Sequence, residues 1–220
     1  MALADHLDVP LRERNTLLLA GGYAPRYART SLESPEMARV RITLQTILER
    51  HDPYPGVVID RYWNVVLANS AALGLVHDLP NDILGPPMNI FRVSLHPDGL
   101  ARRTLNFDEW ATYLVGQLHR AMLLTGDHEL DSLIEEVSAY PDVAALGEWR
   151  ASLALDEPKI LVPFRVDLGG TELSMFTTLT VFGTPLDVTL AEMAVELSIR
   201  PTTPPRLSSA QWGVETEQPI

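Results

Sequence analysis

The sequence predicts an α+β fold: a five-stranded antiparallel sheet with a helical insert between strands 2 and 3, preceded by short N-terminal helices. Two observations lead to this prediction. Short β-branched runs or alternating apolar residues, typical of strands, occur in two separate blocks, 53–69 and 160–199. Between the blocks, about ninety residues carry apolar positions at the three- and four-residue spacing of helices.

The composition is that of a globular protein, with 46% hydrophobic residues among 220. No run approaches the roughly 18 apolar residues that a membrane span requires, and the N-terminus lacks the features of a secretory signal. The chain has no Cys, which excludes disulfides and thiolate metal sites and favours a cytoplasmic location. A net charge of −12 would repel nucleic acid unless the basic residues gathered on one face.

The N-terminal region predicts two short helices, Ala2–Leu7 and Pro10–Ala20, which are too short to be stable without a packing partner. A longer helix is expected over Ser34–Arg50, with Ser34 as its N-cap and Pro35 in its first turn. The apolar stripe of this helix is either a core surface or a dimer contact. It consists of Met37, Val40, Leu44, Ile47 and Leu48.

The first β block predicts a hairpin. The runs Val57–Ile59 and Val65–Leu67 flank the polar break Asp60–Asn64, which suits a loop of four to five residues. Within the break, Trp63 is expected to pack its indole. Asn69 is expected to cap the helix that follows.

The insert contains several helix signals. One or two turns are expected over Asn89–Leu95, and Asn106 with Glu109 three residues later resembles a capping box. Asp127 is expected to cap the next helix, and Pro141 to open another that runs to about Leu153.

In the second β block the period changes from about 3.6 to 2. It predicts a strand that begins near Phe164, a turn at Gly169-Gly170, a long second strand and a last strand that ends near Ile199. From Pro201 onward the composition predicts disorder.

This element order is that of a PAS-like sensor domain, and three segments carry a closer resemblance. They are PYPGVVIDRYWNVVLAN (53–69), NIFRVSLHPDGLARRTLNFDEWATYL (89–114) and LSMFTTLTVFGTPLDVTLAEMAVE (173–196). Together they resemble the ligand-binding region of MmyB-like (MltR-like) transcription regulators, which join an XRE-type helix-turn-helix to a C-terminal PAS-like domain. The resemblance implies a regulator rather than an enzyme, with a fatty acid bound in the PAS-like cavity and no cofactor.

The resemblance also implies a domain plan. Residues 1–22 resemble only the last two helices of the helix-turn-helix domain, and 23–52 form a linker and connecting helix. Residues 53–200 form the PAS-like ligand-binding domain, and 201–220 a disordered tail. The recognition helix has no counterpart in this sequence, so DNA would be bound only through a helix-turn-helix in a longer form. No membrane partner is expected, and a homodimer is left open.

A bound carboxylate needs convergent donors, which Arg, His and Asn can supply. The sequence-based candidates for the ligand head group are Arg92, His96, Arg103 and Asn106. The alternative is that the arginines form structural ion pairs and that the segment from His96 to Gly99 only ends a helix.

The predicted cavity wall comes from one face of the sheet and from the helices over it. For each candidate, ordinary core packing is the more common role of such a residue and is the alternative to a place in the cavity wall. The candidates are Val58, Leu67, Met88, Phe91, Leu95, Trp110, Leu114, Met175 and Leu179.

The sequence contains no HExxH, GxSxG, P-loop or GxGxxG motif, so we assign no catalytic and no metal-binding residue. Two alternatives to a sensor remain. One is a small α+β enzyme that uses the same cavity, and the other is a dimerisation module whose interior is filled and takes no ligand.

Overall fold

The structure is a computed structural model that describes residues 2–147 and 161–200. The predicted tail, 201–220, lies outside the described residues, as do the last part of the helix predicted to reach Leu153 and the first residue of the second β block. In the described part, the helix that Pro141 opens ends at Ala144.

The five predicted strands are all present and form one antiparallel sheet in the order β2-β1-β5-β4-β3. This confirms the predicted fold class. Because β2 and β3 form opposite edges, the chain between them must cross the sheet, and it does so as a layer of helices on one face. The strands are β1 (Gly56–Ile59), β2 (Val65–Ala68), β3 (Phe164–Leu168), β4 (Thr171–Val181) and β5 (Ala194–Ile199).

The turn between β1 and β2 is built around one carboxylate. Asp60 Oδ1 accepts hydrogen bonds from the backbone N–H groups of Tyr62 (2.8 Å) and Asn64 (2.9 Å). Trp63 adopts a left-handed φ of 58° inside this turn. Its indole packs edge-on against Phe91, with ring centroids 5.1 Å apart, as the sequence predicted for a packed side chain.

The insert packs on the sheet as the larger of two cores. Trp110, Leu114 and Leu118 recur at helical spacing and are buried, together with Phe164 and Met175 of the sheet. Within the described ranges, none of the helices combines the length and hydropathy needed to cross a membrane. The insert helices are α4 (Ser70–Val76), α5 (Asn81–Leu84), α6 (Ile90–Leu95), α7 (Phe107–Thr125), α8 (His128–Ser138) and α9 (Pro141–Ala144).

The opposite face of the sheet is covered by the connecting helix, labelled α3 (Ala38–His51). Its residues Leu44 and Leu48 are buried in a second core against Val58 and Val195 of the central strands. Ile47 is 41% exposed, so the buried stripe is narrower than predicted. The sheet therefore separates two apolar layers, and both of its faces are covered.

The N-terminal segment forms α1 (Ala2–His6) and α2 (Leu11–Ala20), close to the predicted bounds. No residue of α2 is buried, so polar contacts hold it. The side chain of Asn15 donates to the carbonyl of Tyr27 at 2.8 Å and accepts from the N–H groups of Arg26 and Tyr27 at 3.0 Å each.

The structure corrects two local predictions and adds one short helix. The Ser34 hydroxyl makes no capping bond, and a 3-10 turn over 35–37 precedes α3. Asn106 does not cap α7 through its side chain; its Oδ1 accepts from the N–H of Arg165 and its Nδ2 donates to the carbonyl of Pro163, which ties the helix to β3. A short helix that the sequence analysis missed, α10 (Val188–Ala191), precedes β5.

Candidate functional site

An apolar cavity lies between the sheet and the insert helices. Its volume is about 90 Å³, with helices α4 and α6 above the central strands β1 and β5. The lining residues are Pro55, Gly56, Val57, Val65, Ala72, Leu75, Val76, Met88, Ile90, Val93, Ser94, Leu100, Trp110, Phe164, Met175, Thr177, Glu196 and Ser198.

Two asparagines position the helices above this cavity. Asn69 caps α4 by accepting from the N–H of Ala72 at 3.0 Å, as predicted, and its Nδ2 also donates to the carbonyls of Leu48 and Tyr54. Asn89 caps α6 by accepting from the N–H of Phe91 at 3.0 Å. Both asparagines are almost fully buried, so each fixes the start of its helix relative to the sheet.

The sheet forms a floor with a polar centre. Thr177 on β4 is paired with Ser198 on β5, and Glu196 lies two residues earlier on the same face of β5. Glu196 is half-buried by accessible surface, since part of its side chain faces the cavity. Desolvation by the surrounding protein raises the pKa of its carboxyl to about 7.

The predicted head-group residues lie elsewhere, because none of the four lines this cavity. Arg92 forms a two-pronged ion pair with Glu136, at 2.8 and 2.7 Å. Helix α6 turns Ile90 and Val93 toward the cavity, which directs Arg92 to the other side. There, Arg92 and His96 border a surface groove.

The other two predicted donors are also engaged in structural contacts. Arg103 donates to Asp78 at 2.7 Å on the surface, and Asn106 tethers α7 to β3 as described above. The alternative interpretation of the arginines as ion-pair partners therefore describes their contacts in this structure. The polar side chains of the sheet that do line the cavity are those of Thr177, Glu196 and Ser198.

Of the nine predicted wall residues, Met88, Trp110 and Met175 line the cavity. The other insert residues are buried in the same core without lining it. They are Phe91, Leu95 and Leu114.

The remaining three predicted wall residues do not belong to the cavity. Val58 and Leu67 are partners across the β1–β2 ladder, and both pack against the α3 core on the opposite face. Leu179 shares a face with Glu196 but is 54% exposed, beyond the edge of the insert.

The sequence analysis missed Glu196, because alternation along a strand does not show which layer covers each of its two faces. One signal could have found it. The apolar stripe of α3 needs a sheet face, and Val195 and Leu197 supply that face. The alternate residues of β5, Glu196 and Ser198, must then point to the insert.

A network of charged side chains joins the N-terminal segment to the insert. Arg12 on α2 pairs with both carboxylate oxygens of Glu192, at 2.5 and 2.6 Å. Arg61, in the β1–β2 turn, donates to Glu192 at 3.0 Å and to Asp127 at 2.5 Å. Asp127 caps α8, as predicted, so the network reaches from α2 to the helix that packs over α6 and α7.

The network is largely shielded from solvent, with the side chains of Arg61 and Asp127 only 16% and 17% exposed. Burial opposes the charged form of Asp127, but the N–H of Glu129 and the Tyr62 hydroxyl bond to it, so its pKa lies below the usual range. Burial and the bond to Asp127 raise the pKa of Tyr62 to about 12. Near neutral pH, Asp127 is therefore ionised and Tyr62 is neutral.

The chain is similar to one protein family and to solved structures. A family model described as the MmyB-like transcription regulator ligand-binding domain matches residues 40–206. A solved structure of an RsLOV variant is similar at 12% identity and a TM-score of 0.33, over 74% of this chain and 69% of that one. No curated protein sequence gives a significant match. The family match spans three quarters of the chain, and the chain belongs to the family of MmyB-like transcription regulator ligand-binding domains.

Proposed function

We propose that this chain is the ligand-sensing region of a transcription regulator and that a small apolar ligand binds between the sheet and the insert. In a longer form that carries a helix-turn-helix, the bound ligand would control DNA binding. The observation that carries the proposal is the apolar cavity of about 90 Å³ beneath α4 and α6. A module that only dimerises needs no such space.

The size of the cavity limits the ligand. A volume of about 90 Å³ exceeds what one water occupies, but it is below the roughly 300–1,000 Å³ of pockets for drug-sized ligands. A short apolar body fits the cavity as it stands. The fatty acid that the family resemblance implies would require α4 and α6 to move away from the sheet if its chain were long. Such a movement is what a sensor needs, because a ligand shifts an equilibrium only through its different affinity for the two states.

The charged network offers a route for that shift. Movement of the insert would displace Asp127 at the start of α8, and Arg61 joins Asp127 to Glu192, which holds α2 through Arg12. An ion pair of low exposure is costly to break on one side only, because it leaves a buried charge without its partner. The position of α2 would therefore respond to the state of the insert.

The first test is thermal melting of the chain with saturated fatty acids of increasing length, from six to sixteen carbons. A ligand at about 100 times its Kd should stabilise the folded state by about 2.7 kcal/mol and raise the Tm. The variant Ala72→Phe places a ring in the cavity and should abolish the rise. Its matched control is Leu73→Phe, since Leu73 is 51% exposed on the solvent side of α4.

The second test addresses transmission. Hydrogen exchange of 11–20 should change when ligand saturates the wild-type chain, and Arg61→Gln should remove that change while leaving ligand affinity intact. Arg165→Gln, which breaks the exposed pair with Glu172 at the sheet edge, is the control. Unchanged exchange in the wild type with ligand bound would contradict the route through Arg61.

A further inference from the structure

The floor of the cavity is acidic. Glu196 stands at the middle of β5, opposite Val57 on β1 and Leu179 on β4. The hydroxyls of Thr177 and Ser198 lie beside it on the same face. Among the lining residues in the described ranges, Glu196 is the only ionisable side chain, so no Arg, Lys or His offsets its charge.

Glu196 also differs from three other carboxylates of the fold that are at least partly shielded from solvent. Asp127, Glu136 and Glu192 are each paired with an arginine at 3.0 Å or less. Within the described part of the chain, the carboxyl of Glu196 makes no hydrogen bond and no ion pair, and desolvation is the sole cause of its raised pKa. A carboxylate that faces an apolar cavity without a partner is unfavourable, and a donor brought by a ligand would relieve that cost.

We propose that Glu196 recognises the head group of the ligand, and that the cavity takes a short apolar primary amine in preference to a carboxylic acid. An ammonium group has three donors and a positive charge. One donor can bond to the Glu196 carboxylate as a charge-assisted pair, and the Thr177 and Ser198 hydroxyls can accept the other two. A carboxylate in the same place would meet a like charge and no cation. This inference rests on the proposed function, since it names the ligand class of the same cavity.

The test compares three probes with the same six-carbon body, namely hexylamine, 1-hexanol and hexanoate, by calorimetric titration of the full chain at pH 8. Hexylamine should bind at least about tenfold more tightly than hexanoate, with 1-hexanol between them. In Glu196→Gln, hexylamine should lose about tenfold or more, while 1-hexanol should change little. Glu49→Gln, which removes one exposed acid on α3, should leave all three affinities unchanged.

The outcomes separate the two proposals. If hexanoate or 1-hexanol binds the wild type as tightly as hexylamine, or if Glu196→Gln keeps the amine preference, the inference is overturned and the apolar cavity function stands. If none of the three binds, the inference is overturned, and the fatty-acid series from six to sixteen carbons decides the proposed function separately. The comparison among the probes needs only the wild-type chain, so it holds even if Glu196→Gln does not fold. In that event, Ser198→Ala should still weaken hexylamine more than 1-hexanol.

Discussion

The carboxyl of Glu196 is desolvated by the surrounding protein, and this makes the free energy of unfolding depend on pH. Its pKa of about 7 in the folded chain compares with 4.5 for an unperturbed glutamate. Between these two values the folded state binds more protons than the unfolded state does. The free energy of unfolding contributed by this group is therefore fully present below pH 4.5, and it is lost as the pH rises toward 7.

We expect the free energy of unfolding of the wild type to fall by roughly 2–3 kcal/mol between pH 5 and pH 8 relative to that of Glu196→Gln, because one pKa unit corresponds to about 1.36 kcal/mol. Urea denaturation of both proteins at several pH values measures this difference, and other titrating groups cancel in the comparison. Parallel curves for the two proteins would mean that Glu196 is not desolvated.

At the scale of elements, the sheet serves two cores at once, and two buried residues distinguish them. Met175 on β4 lines the cavity, whereas Val58 on β1 packs under α3, and both are fully buried. Shortening either side chain removes apolar contacts and leaves a void. Only the void at Met175 would add to the space available to a ligand.

Met175→Ala and Val58→Ala should each lower the free energy of unfolding, by about 2 kcal/mol or more for Met175. Met175→Ala should also tighten binding of 1-octanol relative to 1-hexanol, because each further methylene buried is worth about 0.8 kcal/mol. Val58→Ala should leave the ratio of the two affinities as in the wild type. Calorimetric titration of both alcohols against all three proteins measures it. An equal ratio in all three would place Met175 outside the binding cavity.

Elements that depend only on local sequence patterns could be predicted from the sequence. The hairpin at 53–69, the caps at Asn69 and Asp127 and the strands around Gly169 follow from local patterns, and the structure confirms them. Alternation along β5 places Val195 and Leu197 on one face and Glu196 and Ser198 on the other. It could not tell which layer covers which face, because that depends on where α3 packs.

The roles of the site residues were harder to predict, because they depend on partners that are distant in the sequence. The partner of Arg92 is Glu136, 44 residues away, and no local spacing predicts such a contact. An arginine in the insert was therefore a reasonable candidate for a carboxylate ligand, yet a carboxylate of the protein itself occupies it in this structure. Glu196, the acid that does face the cavity, lies in a strand whose residues alternate between apolar and polar, and this pattern alone does not single it out.

At the scale of the whole molecule, acidic residues outnumber basic ones. The net charge is −12, and Arg12, Arg61, Arg92 and Arg103 are all engaged with acidic side chains. An arginine that is paired with a carboxylate of the protein is less available to neutralise a phosphate, and the excess of acidic residues repels a phosphate backbone. Under the function proposed above, the chain would act on a DNA-binding domain rather than on DNA itself.

We therefore expect this 220-residue chain to bind a random DNA duplex more weakly than the Kd of about 10⁻⁴–10⁻⁶ M that is typical of non-specific binding. Fluorescence polarisation of a labelled duplex at about 0.15 M salt measures it. Lowering the salt should bring little gain, because few phosphates would be neutralised. Tight binding with a steep salt dependence would contradict this expectation.

Along β5, alternate residues contact different layers. Val195 and Leu197 pack against α3, while Glu196 and Ser198 line the cavity. A mutant library that randomises consecutive codons of this strand would alter what is recognised and how the connecting helix is seated in the same clone. A library restricted to every second codon would separate the two properties. Changing the proposed ligand of this domain without disturbing α3 would therefore require substitutions at Glu196 and Ser198 only, and not at the residues between or beside them.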